Sequence, residues 1–172
     1  TKDLLVPGVL FIQRYLKVKN VVPNASAAIF HRDLLKDPGI WDGTQDMRMC
    51  GDWLFWIRLA SRTRVGFVAE ELNHFREHAA VSRSHLTLDR QRSRLWEERT
   101  VRAELAFRKD VDQRNEEHAM YVRWSALFAV RSFFSNSFLR ISLPGRSRFV
   151  PLLIGLVARC KARFAGPPSA AR

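Results

Sequence analysis

The order of apolar and polar positions predicts helices and short strands in the first part of the chain. An apolar stretch from Leu4 to Leu16 indicates a short helix or a connector. The segment VVPNASAAIF, at 21–30, predicts a short irregular strand because β-branched and small residues surround its one proline. HRDLLKD, at 31–37, predicts a helical turn that the following proline and glycine end.

A second amphipathic pattern begins where a polar loop ends. Apolar residues recur at helical spacing in WLFWIRLAS, which follows an acidic residue, so we predict a helix that begins near Asp52. Beyond it, RVGFVA at 64–69 and ELNHFR at 71–76 predict two short strands, or one strand and an extended loop.

The character of the chain changes after Ser84. Residues 86–110 lack glycine and proline and carry many charges, which predicts a long helix, and 117–140 predict another.

The apolar run at 149–158 is too short to span a bilayer, which takes about 20 residues. Its basic flanks suit the surface of an anionic membrane, although a helix that covers the first domain or a dimer partner fits equally well.

Composition and charge support the same division. The chain has 172 residues, of which 47% are hydrophobic, so it can bury a core. Residues 1–84 carry 12 basic and 9 acidic side chains, whereas 85–172 carry 17 and 8. We therefore expect an α/β domain over 1–84 and a basic helical extension over 85–172.

The two cysteines, Cys50 and Cys160, show no metal-binding spacing and are expected to be small buried residues in a reducing compartment.

Three blocks, NASAAIFHRDLL, GDWLFWIRLA and VGFVAEELNHFREHAAVS, resemble the second half of the catalytic domain of family 2 glycosyltransferases. The resemblance covers roughly residues 20–84. It implies a partial GT-A fold, an α/β domain with a mostly parallel sheet, and transfer of a sugar from a nucleoside diphosphate donor with inversion. The Asp-x-Asp match at 110–112 lies after these blocks, in a segment expected to be helical, so it is not the metal motif of that family. Because the chain begins at Thr1, we expect the nucleotide-binding half to lie upstream and the isolated chain not to turn over.

The resemblance gives Asp52 the role of general base. An acceptor hydroxyl must lose its proton as it attacks the anomeric carbon, and a carboxylate within hydrogen-bond reach can take that proton. The alternative is that Asp52 only caps the helix, because aspartate is a preferred residue at helix N-termini. Gly51 stands where a second acid often precedes the base in that family, so an inactive remnant of the family remains an alternative.

The resemblance also implies where the substrates would bind. His78 matches a position near the donor diphosphate and its Mg²⁺ or Mn²⁺, and Arg76 is a plausible partner of the diphosphate; the alternative is an exposed loop histidine and a structural arginine. Asn24 and Ser26 match a position near the acceptor, or they stabilise a turn after a proline. Trp53 could stack on a sugar ring, or it belongs to the core.

Together these features predict the acceptor-side segment of a glycosyltransferase at the cytosolic face of a membrane. Its expected partners are a nucleoside diphosphate sugar and a saccharide or lipid-linked acceptor. The alternative is a basic helical module that binds nucleic acid or an anionic membrane through the arginine-rich segment 90–114. Acids interleave with those arginines as on an ordinary solvated helix, which argues against nucleic acid.

Overall fold

The computed structural model describes residues 2–74 and 87–127, together with residues 143, 150, 153, 154 and 156–158. The regular elements of these residues are two strands, four α-helices and several short helical turns. In chain order they are β1 (Leu4–Pro7), α1 (Gly8–Phe11), a π-helical turn (Ile12–Leu16), 3₁₀ turns (Ala25–Ala27, Arg32–Lys36 and Pro38–Ile40), α2 (Gly51–Ala60), β2 (Arg64–Phe67), α3 (Leu88–Ala106) and α4 (Arg114–Leu127).

Strands β1 and β2 form a two-stranded antiparallel sheet. Leu4 lies opposite Phe67, and Pro7 lies opposite Arg64. The strand predicted over 64–69 is thus confirmed as β2. The helix or connector predicted over 4–16 begins instead with β1, and only 8–16 are helical. A strand of four residues depends on its partner for its backbone hydrogen bonds, so its own pattern could not reveal it.

The strand predicted over 21–30 is wrong. This segment contains a 3₁₀ turn over Ala25–Ala27 and has no strand. Pro23 has no N–H to donate to a sheet, and Ile29 is fully exposed, so the segment buries no continuous apolar face. The helical turn predicted next is confirmed as the 3₁₀ turn Arg32–Lys36, with His31 and Asp37 at its two ends.

Helix α2 lies at the centre of the first core. Eight of its ten residues are buried, among them Trp53, Trp56 and Ile57. Ile12 and Leu16 of the π-helical turn pack against this helix, so the turn closes one side of the core. The helix predicted to begin near Asp52 is confirmed, with its first residue at Gly51.

Helices α3 and α4 form a second apolar cluster. Leu95 of α3 packs there with Met120, Tyr121 and Trp124 of α4. About two and three turns further along α3, Val101 and Leu105 belong to the first core. Helix α3 therefore joins the two clusters, and it confirms the long helix predicted over 86–110. Helix α4 confirms the start of the second predicted helix; residues 128–140 lie outside the described residues.

The described chain is thus of a mixed, loosely α/β class, in which helices predominate and the sheet is small. The Asp-x-Asp at 110–112 lies in the turn between α3 and α4 and not in a helix, contrary to expectation. Across the described residues, no helix combines the length and the hydropathy that crossing a membrane requires. Six residues of the run 149–158 are described, namely 150, 153, 154 and 156–158, and all six are helical. Val150 and Ile154 pack against the second cluster, whereas the basic flanks of the run lie outside the described residues.

Candidate functional site

An open cleft of about 1410 Å³ lies between the N-terminal end of α2 and one face of α3. One wall is formed by residues 18–23, which follow the π-helical turn, and another by residues 47–53. Helix α3 contributes Gln91, Arg94, Leu95 and Glu98, whose spacing places them in one stripe along the helix. Arg123 and Leu127 of α4 complete the lining.

Asp52 is exposed in this cleft, in the first turn of α2. Its Oδ2 accepts a hydrogen bond from Nδ2 of Asn20 at 2.8 Å, and its Oδ1 accepts one from the backbone N–H of Trp53 at 2.8 Å. The N-cap residue is Cys50, not Asp52. Asp52 therefore satisfies one free N–H of the first turn and adds a favourable charge there, while its carboxylate stays accessible from the cleft.

Asn20 fixes the orientation of the Asp52 carboxylate. The Asn20 Oδ1 accepts from the backbone N–H of Val22 at 3.0 Å, which leaves its Nδ2 to donate to Asp52. Sequence reasoning missed this residue. Asparagine two residues before Val22 is a local turn signal, but nothing in the sequence connects it with a carboxylate 32 residues later.

Gly51 is required by packing next to Asp52. A Cβ atom at this position would lie 2.3 Å from the carbonyl oxygen of Thr44 and 3.3 Å from the Cβ of Met47. A contact of 2.3 Å to backbone cannot be relieved by a side-chain movement. In this chain, a second acid at position 51 would therefore displace the loop that leads into α2.

Glu97 of α3 holds the loop before α2. Its carboxylate accepts from the backbone N–H groups of Arg48, Met49 and Cys50, at 3.0, 2.7 and 2.7 Å. Three consecutive N–H groups at the positive end of a helix form a favourable site for a carboxylate. Sequence reasoning missed this role of Glu97, because a glutamate within a charged helix gives no signal of a distant backbone partner.

Glu98 forms the buried side of the cleft. It accepts from Arg102 at 3.0 Å and from Arg123 at 2.6 Å, both through Oε1. The Arg102 side chain is 2% exposed, and it also donates to the carbonyls of Lys17 and Val18. Burial lowers the pKa of Arg102, and the charge of Glu98 opposes this shift. The spacing of Glu98 and Arg102 was the only sequence signal of this network.

Trp53 and Cys50 belong mainly to the core. The Trp53 indole N–H donates to the carbonyl of Leu16 at 2.7 Å, and the guanidinium of Arg102 lies 5.2 Å from its ring centre. Trp53 is 7% exposed, so only an edge of it reaches the cleft. Cys50 is buried and free, as predicted. Burial, and then the charge of Glu97, raise the pKa of Cys50 to about 12.

Asn24 and Ser26 lie beyond the cleft wall, at the 3₁₀ turn that follows Pro23. The Asn24 Nδ2 donates to Oδ1 of Asn73 at 3.2 Å, and Asn24 makes no side-chain cap to the turn that it precedes. Ser26 is exposed. Neither residue is among those that line the cleft.

Arg76 and His78 lie outside the described residues. Among the residues that are described, no group of three or more histidine, cysteine, aspartate or glutamate side chains could hold a metal ion. Of the carboxylates that line the cleft, Asp52 is exposed and Glu98 is engaged by two arginines. These two residues do not fit a divalent cation on their own, because such ions take several oxygen ligands.

Comparison with protein-family models, with curated proteins and with solved structures finds no match to this chain.

Proposed function

We propose that this protein is the acceptor side of an inverting glycosyltransferase of GT-A type, which transfers a sugar from a nucleoside diphosphate to a hydroxyl of a saccharide or lipid-linked acceptor. One observation carries the proposal. Asp52, the residue that the sequence motif marks as the base, has an exposed carboxylate that faces the cleft and is oriented by Asn20.

The chemistry follows from the state of that carboxylate. Each Asp52 oxygen accepts one hydrogen bond, from Asn20 or from the backbone of Trp53, so each retains a lone pair for a further donor. An acceptor hydroxyl in the cleft can donate to Asp52, and Asp52 takes the proton as the hydroxyl oxygen bonds to the anomeric carbon. The diphosphate leaves from the opposite face with the electron pair of the broken bond. Asn20 is then a positioning residue.

The donor side of the proposal rests on the sequence alone. Arg76 and His78 would contact the diphosphate, and His78 would be one ligand of the divalent metal. Because Asn24 and Ser26 do not line the cleft, they would contact only a part of the acceptor that extends beyond it, whereas Trp53 would offer its edge within the cleft. We propose that the enzyme works at the cytosolic face of a membrane, where a lipid-linked acceptor is presented.

The test is a transfer assay on the natural full chain, with a panel of nucleoside diphosphate sugars and Mg²⁺ or Mn²⁺. Asp52→Asn keeps the size of the side chain but removes the base, and we expect transfer to fall about 10²- to 10⁴-fold with donor binding retained. Asp46→Asn is the matched control, since Asp46 is exposed in the same loop but does not line the cleft. Equal activity of the Asp52 variant and the control would reject Asp52 as the base.

The alternative, a basic module for nucleic acid or anionic membranes, receives less support from the described contacts. Glu98 engages Arg102 and Arg123, Glu104 lies 3.1 Å from Arg58, and Asp112 lies 2.8 Å from Arg114. These pairs use charges that a nucleic acid would need. Nucleic-acid affinity that falls steeply with salt would favour the alternative. Absence of transfer by the native full chain with every donor would favour an inactive remnant.

A further inference from the structure

The cleft around Asp52 has more positive charge than its own acids can balance. Four basic side chains line it: Lys19, Arg48, Arg94 and Arg123. The acids that line it are Asp52 and Glu98. Because Glu98 is bonded to Arg123 and to the buried Arg102, its charge is already compensated. Lys19, Arg48 and Arg94 are then left facing the cleft with one exposed carboxylate.

Arg48 and Arg94 both line the cleft and belong to two segments that contact each other. Glu97, three residues after Arg94 on α3, accepts from the backbone N–H of Arg48. The thiol of Cys50 lies 3.9 Å from the carbonyl oxygen of Arg94, which also places Arg94 beside the start of α2. Both arginines are exposed. Within the part of the chain that the structure describes, neither guanidinium has a carboxylate partner.

Glu97 does not neutralise these two arginines through a direct pair. Its two oxygens face the backbone N–H groups of residues 48–50, at 2.7 to 3.0 Å. Glu97 and Asp52 occupy the N-terminal end of α2, so the positive field comes from the side chains. Five cations (Lys19, Arg48, Arg94, Arg102 and Arg123) face three carboxylates (Asp52, Glu97 and Glu98), and five minus three leaves a net charge of +2 around the cleft. Guanidinium groups suit phosphate because their planar donors match its oxygens in pairs, and a phosphate monoester carries close to two negative charges.

We propose that the acceptor recognised in this cleft carries a phosphate or diphosphate group, bound by Arg94 and Arg48 with support from Lys19. This inference rests on the proposed function for the identity of the ligand as the acceptor. Because Asp52 and the phosphate are both negatively charged, Asp52 repels the phosphate towards the two arginines. The sugar or alcohol portion of the same molecule then presents its hydroxyl to Asp52.

The test measures binding separately from transfer. Inorganic pyrophosphate is titrated into the protein by isothermal calorimetry at physiological salt. Arg94→Gln is expected to weaken binding about tenfold or more, as the loss of a charge-assisted hydrogen-bonding group implies. Arg64→Gln is the matched control, because Arg64 is an exposed arginine of β2 outside the cleft, and it is expected to bind as the native protein does. Far-UV circular dichroism checks that both variants are folded.

A binding experiment with lipid vesicles distinguishes a lipid headgroup from a soluble phosphate as the source of this group. Phosphatidylcholine vesicles with and without phosphatidic acid are sedimented with the native protein and with both variants. Loss of pyrophosphate binding in Arg94→Gln alone supports the cleft as a phosphate site, and a parallel loss of vesicle binding identifies the phosphate as that of a lipid headgroup. Absence of pyrophosphate binding, or equal weakening by both substitutions, overturns the inference.

Asp52→Asn separates this inference from the proposed function. Removal of a like charge from the cleft is expected to leave pyrophosphate binding unchanged or tighter while transfer is lost. If transfer survives this substitution but pyrophosphate binding depends on Arg94, the phosphate site stands and the proposed base is wrong. If transfer depends on Asp52 but pyrophosphate does not bind, the proposed function stands and the phosphate inference is wrong.

Discussion

The substitution Glu97→Ala tests how the cleft is held together. Glu97 lies on α3, and its carboxylate accepts from three successive backbone N–H groups, those of Arg48, Met49 and Cys50, at the entrance to α2. These bonds join the loop that leads to Asp52 to the helix that forms the opposite wall. Alanine removes both acceptor oxygens and the charge at the positive end of α2.

The expected loss of stability follows from these contacts. Removing a helix cap costs about 1 kcal/mol, and hydrogen bonds to a charged group contribute about 1.5–3 kcal/mol. Because Glu97 is half-buried, water can reach part of the loop and solvate some of the freed N–H groups. We therefore expect Glu97→Ala to lower the free energy of unfolding by about 2–4 kcal/mol. This is less than the sum that three independent hydrogen bonds to a charged group would contribute.

Urea unfolding followed by far-UV circular dichroism measures this loss. Glu97→Gln keeps one carbonyl acceptor and loses the charge, so its cost should lie between those of native protein and alanine. Asp89→Ala is the control on the same helix, because the Asp89 side chain is 92% exposed and its removal should cost less than about 1 kcal/mol. A loss for Glu97→Ala no larger than that for Asp89→Ala would refute the assigned role of Glu97.

Two further predictions concern the core beneath the cleft. Trp53→Phe removes the indole N–H that donates to Leu16 and leaves that carbonyl unpaired, so the free energy of unfolding in urea should fall by about 1–3 kcal/mol; no change would mean that this bond contributes nothing. In a Cys160→Ser variant, the Cys50 thiol should react slowly with Ellman's reagent at pH 8 until the protein unfolds, because its pKa is raised to about 12. Because the folded protein keeps this thiol protonated, the contribution of Cys50 to the free energy of unfolding is complete below the unfolded pKa of about 9, and it is lost as the pH rises towards 12. Rapid labelling of the folded protein at pH 8 would contradict the raised pKa.

The elements with strong local signals were predictable from the sequence. Helix α2 has apolar residues at helical spacing, α3 has a long run without glycine or proline, and β2 contains Val65 and Phe67, which favour strands. The position of Asp52 at the start of α2 was predictable for the same reason. Interactions between neighbours along the chain determine such features, so a window of the sequence contains them.

The tertiary structure alone decided the partners of these elements. Asn20 meets Asp52 across 32 residues, and β1 finds β2 across about sixty. Glu97 meets its backbone donors across 47 to 49 residues. The segment 21–30 has the composition of a strand, but no strand of the described residues lies beside it to accept and donate backbone hydrogen bonds, so it forms none. Hydrogen bonds and packing between distant residues depend on how the whole chain closes, and the hydrophobic pattern of any one segment does not specify that closure.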